Sequence, residues 1–155
     1  MLFAFTTADS NYIFFTVKNG LDISFEVYGT TANLYFSRNT MLRRNVNDNV
    51  WRHFVWTISA DGTWKYYFDG VLIQTDVGKG VPNSSLRTKS WLGKSPWGNP
   101  PFNGLIDDFR IYNTDLSATD VASLYQYTGI LLSSSLLHML LSTLLLLLHR
   151  TSIIR

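Results

Sequence analysis

A single glutamate among scattered aspartates raises the question of glycoside hydrolysis first, and the spacing argues against it. That reaction commonly needs two carboxylates on one face, roughly 5–9.5 Å apart. Glu26 is the only glutamate in the chain. Asp22 shares its strand face, yet four residues of extended chain set the two about 13 Å apart. Asp107 and Asp108 are adjacent on an expected strand, so their side chains leave opposite faces. His53, His138 and His149 offer no spacing for a metal or a catalytic triad, and the lack of cysteine removes thiolate sites and disulfides. A glycan-active hydrolase is therefore the remote alternative, and no enzyme is expected.

Binding needs less machinery. An exposed aromatic ring beside a polar group can hold a sugar, and Ser95-Pro96-Trp97-Gly98-Asn99-Pro100 offers both in one loop. Trp97 leads the candidates because it lies outside any core periodicity, with Asn99 as its polar neighbour. Trp91 and Tyr67 are weaker candidates. The competing expectation is that Trp97 folds back and buries its apolar area. Trp51, Trp56 and Trp64 read as core.

Short alternating strands must position these residues. Phe3–Thr6, Tyr12–Val17, Asp22–Tyr28 and Asn33–Ser37 read as strands, with Asn19-Gly20 suited to a type I′ turn. Ile23, Phe25 and Val27 alternate with polar residues, which marks one buried face. Met41–Asn49 reads as a loop. Arg52–Ser59, Thr63–Phe68 and Val71–Thr75 form a meander around Asp61-Gly62 and Asp69-Gly70. Phe54, Trp56 and Ile58 are expected to face inward with Trp64, Tyr66 and Phe68. Ser90–Gly93 and Gly104–Tyr112 are further strands, and Ala118–Tyr125 is a helix capped by Ser117 with Asp120 at box spacing. Paired strands of this kind need a second sheet over their apolar face, so the expected fold is all-β, an antiparallel sandwich with one short C-terminal helix.

Composition divides the chain near Thr128. Every aromatic residue and every acidic residue precedes Gly129, whereas residues 129–155 are Leu-rich. The formal charge of +2 comes from Arg150 and Arg155, leaving the first part balanced. With no basic stripe beyond Arg43-Arg44, nucleic-acid binding has no footing. Ile130–Leu148 carries no formal charge and would run roughly 28 Å as a helix, near the thickness of a hydrocarbon core. Three readings of this tail stand open: a membrane span, a soluble amphipathic or anchor-signal helix, and an end that is not native coding sequence. Asn83-Ser84-Ser85 is a lone glycosylation sequon in a polar loop.

The ordered motifs Trp51-Arg52-His53, Asp61-Gly62, Tyr67-Phe68-Asp69-Gly70, Leu92-Gly93, Phe102 to Asp108, Arg110 to Asn113 and Leu116-Ser117 resemble the laminin-G-like, concanavalin-A-like modules. The resemblance covers about half the chain. It implies a jelly-roll sandwich over residues 1–128, with family strands expected ahead of the matched region and a separate tail over 129–155. It also implies a structural Ca²⁺ near the strand at Gly104–Tyr112, where Asp107 is the matching position. The implied function is non-catalytic recognition of carbohydrate or of a cell-surface or matrix protein. The alternative is a structural or adhesion spacer of a larger extracellular protein. An extracellular or cell-surface location follows from either, with residues 130–148 as the membrane contact if the tail spans one.

Overall fold

The computed structural model describes all residues except 8–10, 19–21, 32–33, 134–152 and 155. Its elements are β1 (Phe3–Thr6), β2 (Tyr12–Lys18), β3 (Asp22–Thr31), β4 (Leu34–Arg43), β5 (Arg52–Ile58), β6 (Trp64–Phe68), β7 (Val71–Asp76), β8 (Lys89–Leu92), β9 (Ile106–Asp107), α1 (Ala118–Ser133) and β10 (Ile153–Ile154). The chain forms two compact units, residues Met1–Val50 with Lys79–Gly104 and residues Trp51–Gly78 with Leu105–Arg155.

The first unit is an antiparallel sheet in the order β4-β3-β2-β1-β8. Alternation sets its faces. Ile23, Phe25 and Val27 are buried as the pattern predicts, and Phe25 stacks on Phe15 with ring centroids 4.4 Å apart. The opposite face follows from register: Trp91 pairs with Ala4, Ala4 with Phe14, and Phe14 with Glu26. One step along, Lys89 pairs with Thr6, Thr6 with Tyr12, and Tyr12 with Tyr28. Asn19-Gly20 lies outside the described residues, although the Lys18–Asp22 pair leaves a three-residue connection. β4 is longer than expected and takes in Met41–Arg43, because ladder pairing with β3 continues to Asp22–Arg43.

The second unit orders its strands β7-β6-β5-β10-β9. Phe54, Trp56 and Ile58 sit directly across from Phe68, Tyr66 and Trp64, so all six share one face as expected. Edge-on rings fill it, with Phe54–Phe68 and Trp56–Trp64 each at 4.9 Å. The β6–β7 ladder shifts register between Tyr66 and Tyr67, where β7 carries one extra residue, while β6 stays in unbroken register with β5; the two tyrosines face opposite sides and both are buried. His53 and Thr57, on the other face of β5, are buried as well.

The Asp69-Gly70 turn ties this unit together. Both residues have positive φ, 49° and 78°, which suits a type I′ hairpin turn. Asp69 accepts hydrogen bonds from the His53 backbone N–H and the Arg52 guanidinium, both at 2.9 Å, while its own N–H donates to the His53 carbonyl. Arg52 also lies over the Phe68 ring, 5.4 Å from its centroid. α1 is capped as predicted: the Ser117 hydroxyl accepts from the Asp120 N–H, and Asp120 accepts from the Ser117 N–H at 2.9 Å. The helix runs on past Tyr125 to Ser133, through the boundary suggested by composition. Its Val121 is fully buried, and Tyr125 packs on His53.

The expected strand at Gly104–Tyr112 shrinks to Ile106–Asp107. Asp108 adopts φ 54°, outside the extended region, and its carboxylate holds Arg110 at 2.9 Å. Ile153–Ile154 from the end of the chain pairs antiparallel with β5 on one side and β9 on the other. Among the described residues no helix is long and apolar enough to cross a membrane. Most of Ile130–Leu148 lies outside the described residues.

Two predictions follow from the second unit. A Cβ on Gly70 would stand 2.8 Å from Tyr125 Cδ1 at a φ disfavoured for other residues. Gly70→Ala should therefore cost about 2 kcal/mol or more in denaturant unfolding; an unchanged midpoint would remove the turn from this role. Burial holds the His53 ring below its ordinary 6.5, opposed by Asp69 and aided by Arg110. The neutral ring thus stabilises the fold fully above that value, and the contribution is lost as pH falls below it. The unfolding midpoint should drop between about pH 7.5 and about pH 5.5, and drop less in His53→Asn.

Candidate functional site

Ser95 organises the loop that carries Trp97. Its hydroxyl is buried and accepts from the Trp97 N–H at 3.1 Å and from the Asn99 side-chain amide at 3.0 Å. Gly98, at φ 74°, lets the chain turn tightly between those two bonds. The loop is held further by the Phe102 N–H donating to the Gly93 carbonyl, whose own N–H reaches the Leu2 carbonyl. An irregular segment thus obtains a fixed shape through one hydroxyl and two backbone bonds.

Trp97 stands over the sheet rather than dissolving into it. Its ring meets Tyr12 edge-on at 5.1 Å and Phe14 at 5.8 Å, yet 44 % of the residue remains exposed. Tyr12 in turn stacks on Tyr28 at 4.9 Å, nearly parallel, and on Phe14 at 5.4 Å. Its hydroxyl donates to Glu26 Oε1 at 3.0 Å. Burial, with the Glu26 charge and that hydrogen bond, pushes the Tyr12 phenol well above its ordinary 10, so it stays a neutral donor. Both expectations for Trp97 are therefore met in part: one edge is buried on the aromatic wall and the remaining surface is open.

The sequence candidates separate. Trp97, Asn99 and Trp91 fall in the first unit, and register puts Trp91 on the sheet face that carries Tyr12 and Phe14. Trp91 is half-buried, with Lys94 Nζ 5.3 Å from its ring. Tyr67 belongs to the second unit and is 2 % exposed, so it offers no platform. By register with Val55 it shares the face of His53 and Thr57, which is buried too, and desolvation raises its phenol. Sequence reading overlooked Tyr12, Phe14 and Tyr28, and weighed Glu26 only as a catalytic carboxylate. Their signal was present in the alternation of Tyr12 with Phe14 facing Tyr28 and Glu26, but it needed the hairpin register to be seen.

Asp107 is exposed on β9, and Asp108 turns in to pair with Arg110. Calcium takes roughly six to eight oxygens, several of them carboxylate. Among the described residues no three His, Cys, Asp or Glu side chains come together to hold a metal. The donor set around Asp107 does not fit a calcium site on these residues. The sequon residue Asn83 is also engaged: its amide donates to Asn11 Oδ1 at 2.7 Å and its carbonyl oxygen accepts from Arg87 at 3.1 Å.

Residues 1–122 match the family model described as the concanavalin A-like lectin/glucanases superfamily. The chain belongs to that superfamily. Its two antiparallel sheets and short helix are the jelly-roll β-sandwich class expected from the motifs. No curated protein matches the chain. Its structure is similar to the 2.1 Å crystal structure of residues 221–444 of an S-layer domain-containing protein from Clostridium thermocellum, at 26% identity and a TM-score of 0.47. That match covers 79% of this chain and 60% of the other, so this chain spans less than two thirds of the solved one. The superfamily's description covers both lectins and glucanases, so membership alone does not choose between binding and hydrolysis.

Ser95→Ala removes the acceptor for both loop bonds. It should lower stability by about 1–2 kcal/mol and shift Trp97 emission to the red as the loop loosens. Unchanged emission would mean that something other than Ser95 positions the indole.

Proposed function

We propose that this protein is a non-catalytic carbohydrate-recognition module acting outside the cell or at its surface. The observation that carries the reading is Trp97: a large indole, held by Ser95 and braced on Tyr12 and Phe14, with much of its surface open. Sugar rings have apolar C–H faces that lie on such an indole, while hydroxyls need nearby donors and acceptors. Asn99, fixed through its amide, and Glu26, fixed through Tyr12, stand on the same unit for that purpose. The rigidity matters because a ring that is already positioned loses little entropy on binding.

Hydrolysis is not part of the proposal. Glu26 is occupied as an acceptor for a neutral phenol, and Asp22 lies about 13 Å along the strand by its rise. Calcium has no assigned role either, so chelator should leave binding unchanged.

Trp97→Ala should abolish binding to whichever glycan an array identifies, by roughly a hundredfold in affinity, with the melting midpoint moved by no more than a few degrees. Loss of binding together with loss of the folded state would show a structural indole. Wild-type protein that retains no glycan on a broad array would favour the spacer reading instead.

A further inference from the structure

The second unit holds a buried histidine where two elements meet it. His53 is 4 % exposed, and its Nδ1 is buried without a hydrogen-bond partner. Tyr125 of α1 covers the ring with centroids 5.8 Å apart, and Ile153 of β10 pairs across from His53 in register. α1 itself touches the unit through a narrow strip. Val121 is fully buried one turn before Tyr125, which lies against Gly70, whereas Thr119, Asp120, Ser123, Gln126 and Tyr127 are exposed. A helix held by so few buried side chains opens at lower cost than a strand such as β6, which is paired on both sides.

The neutral ring suits this site and a charged one does not. An imidazolium carries an N–H on both nitrogens, and the buried Nδ1 meets no acceptor. Both Asp69 oxygens are engaged, Oδ1 by the His53 backbone N–H and Oδ2 by the Arg52 guanidinium. The remaining charged or titratable groups around the ring are Arg110, Tyr125 of α1, and Tyr67, which shares the face by register. Arg110 opposes a second positive charge, and burial keeps the Tyr67 phenol neutral. Only the Asp69 charge favours an imidazolium, and desolvation outweighs it. β10 brings only Ile153 and Ile154. Asp120, at the start of α1, is held below the ordinary carboxylate range by Ser117, so its charge is constant from about pH 7.5 to about pH 5.5.

We infer that His53 is an acid-sensitive latch: protonation of its ring releases α1 from the second unit while the β5–β7 meander stays folded. With the ring neutral, Tyr125 can cover it and α1 stays docked. Once the ring takes a proton, the docked state must keep a charge out of water. Swinging α1 away opens the ring to solvent at the cost of the Val121 and Tyr125 contacts alone. The loss of stability expected at low pH is thereby assigned to one element, and the carbohydrate site on the first unit plays no part in it.

The test follows amide hydrogen exchange of the full chain at the two ends of that pH range, each rate taken relative to an unstructured peptide at the same pH. Protection at Val121–Tyr125 should fall roughly tenfold on acidification, while protection at Trp64–Phe68 holds. His53→Asn should flatten the change. His138→Gln with His149→Gln should leave it in place, since these are the only other histidines of the chain. In the wild-type protein, which needs no variant to fold, the His53 ring resonance should titrate below its ordinary 6.5 and the Val121 amide should move with the same midpoint. Protection of α1 that is equal at both ends of the range, or that falls as far in His53→Asn, overturns the latch. Equal loss in α1 and in Trp64–Phe68 overturns it too, because the whole unit would then be unfolding. So does a ring titration with no matching movement at Val121.

Discussion

Register between β2 and β3 is the constraint on which the site depends. Side chains alternate strictly along a strand, so a slip of one residue would send Tyr12 and Phe14 to the opposite face. It would also bring Ile13 and Phe15 out of the face they share with Phe25 and Val27. The buried aliphatic and aromatic side chains therefore enforce the pairing, and the pairing in turn builds the wall of Tyr12, Tyr28, Phe14 and Glu26. Trp97 comes to that wall from a loop far along the chain, and Ser95 sets its angle of approach. The core of one face thus sets the chemistry of the other.

In the second unit the motif residues serve structure. Asp69 binds Arg52 and the His53 backbone, Gly70 admits Tyr125, and His53 lies beneath that ring. These motif residues carry most of the family resemblance, and none of them stands open in the way Trp97 does. The residues that identify the fold and those proposed to bind therefore lie in different stretches of sequence. Membership in a superfamily of lectins and glucanases accordingly locates the architecture, and the site must be argued from its own side chains.

Sequence periodicity made most of the architecture legible. The β5–β7 meander, its two Asp-Gly turns and the Ser117 cap all rest on local chemistry, and each is present. Where long-range pairing decides, the pattern fell short. Met41–Arg43 is polar enough to look like a loop, but β3 carries it into the sheet. Gly104–Tyr112 has the alternation of a strand, and the positive φ of Asp108 ends it after two residues. Tyr67 looked available because alternation places it opposite Tyr66, but the face it shares with His53 and Thr57 is buried as well. At the site, Trp97 could be found from its loop context alone. Its supporting wall could not, because its members are neighbours only through cross-strand register.

The central claim is that Trp97 is a preformed sugar platform, and its indole N–H resonance reports on this directly. The chain has five tryptophans, so the indole region of a nitrogen–proton correlation spectrum is simple, and Trp97→Phe assigns the relevant peak. On titration with a glycan ligand, the Trp97 peak should shift and saturate while that of the fully buried Trp64 stays in place. Saturable binding that leaves the Trp97 peak unmoved would contradict the account, because the ligand would then be held somewhere else.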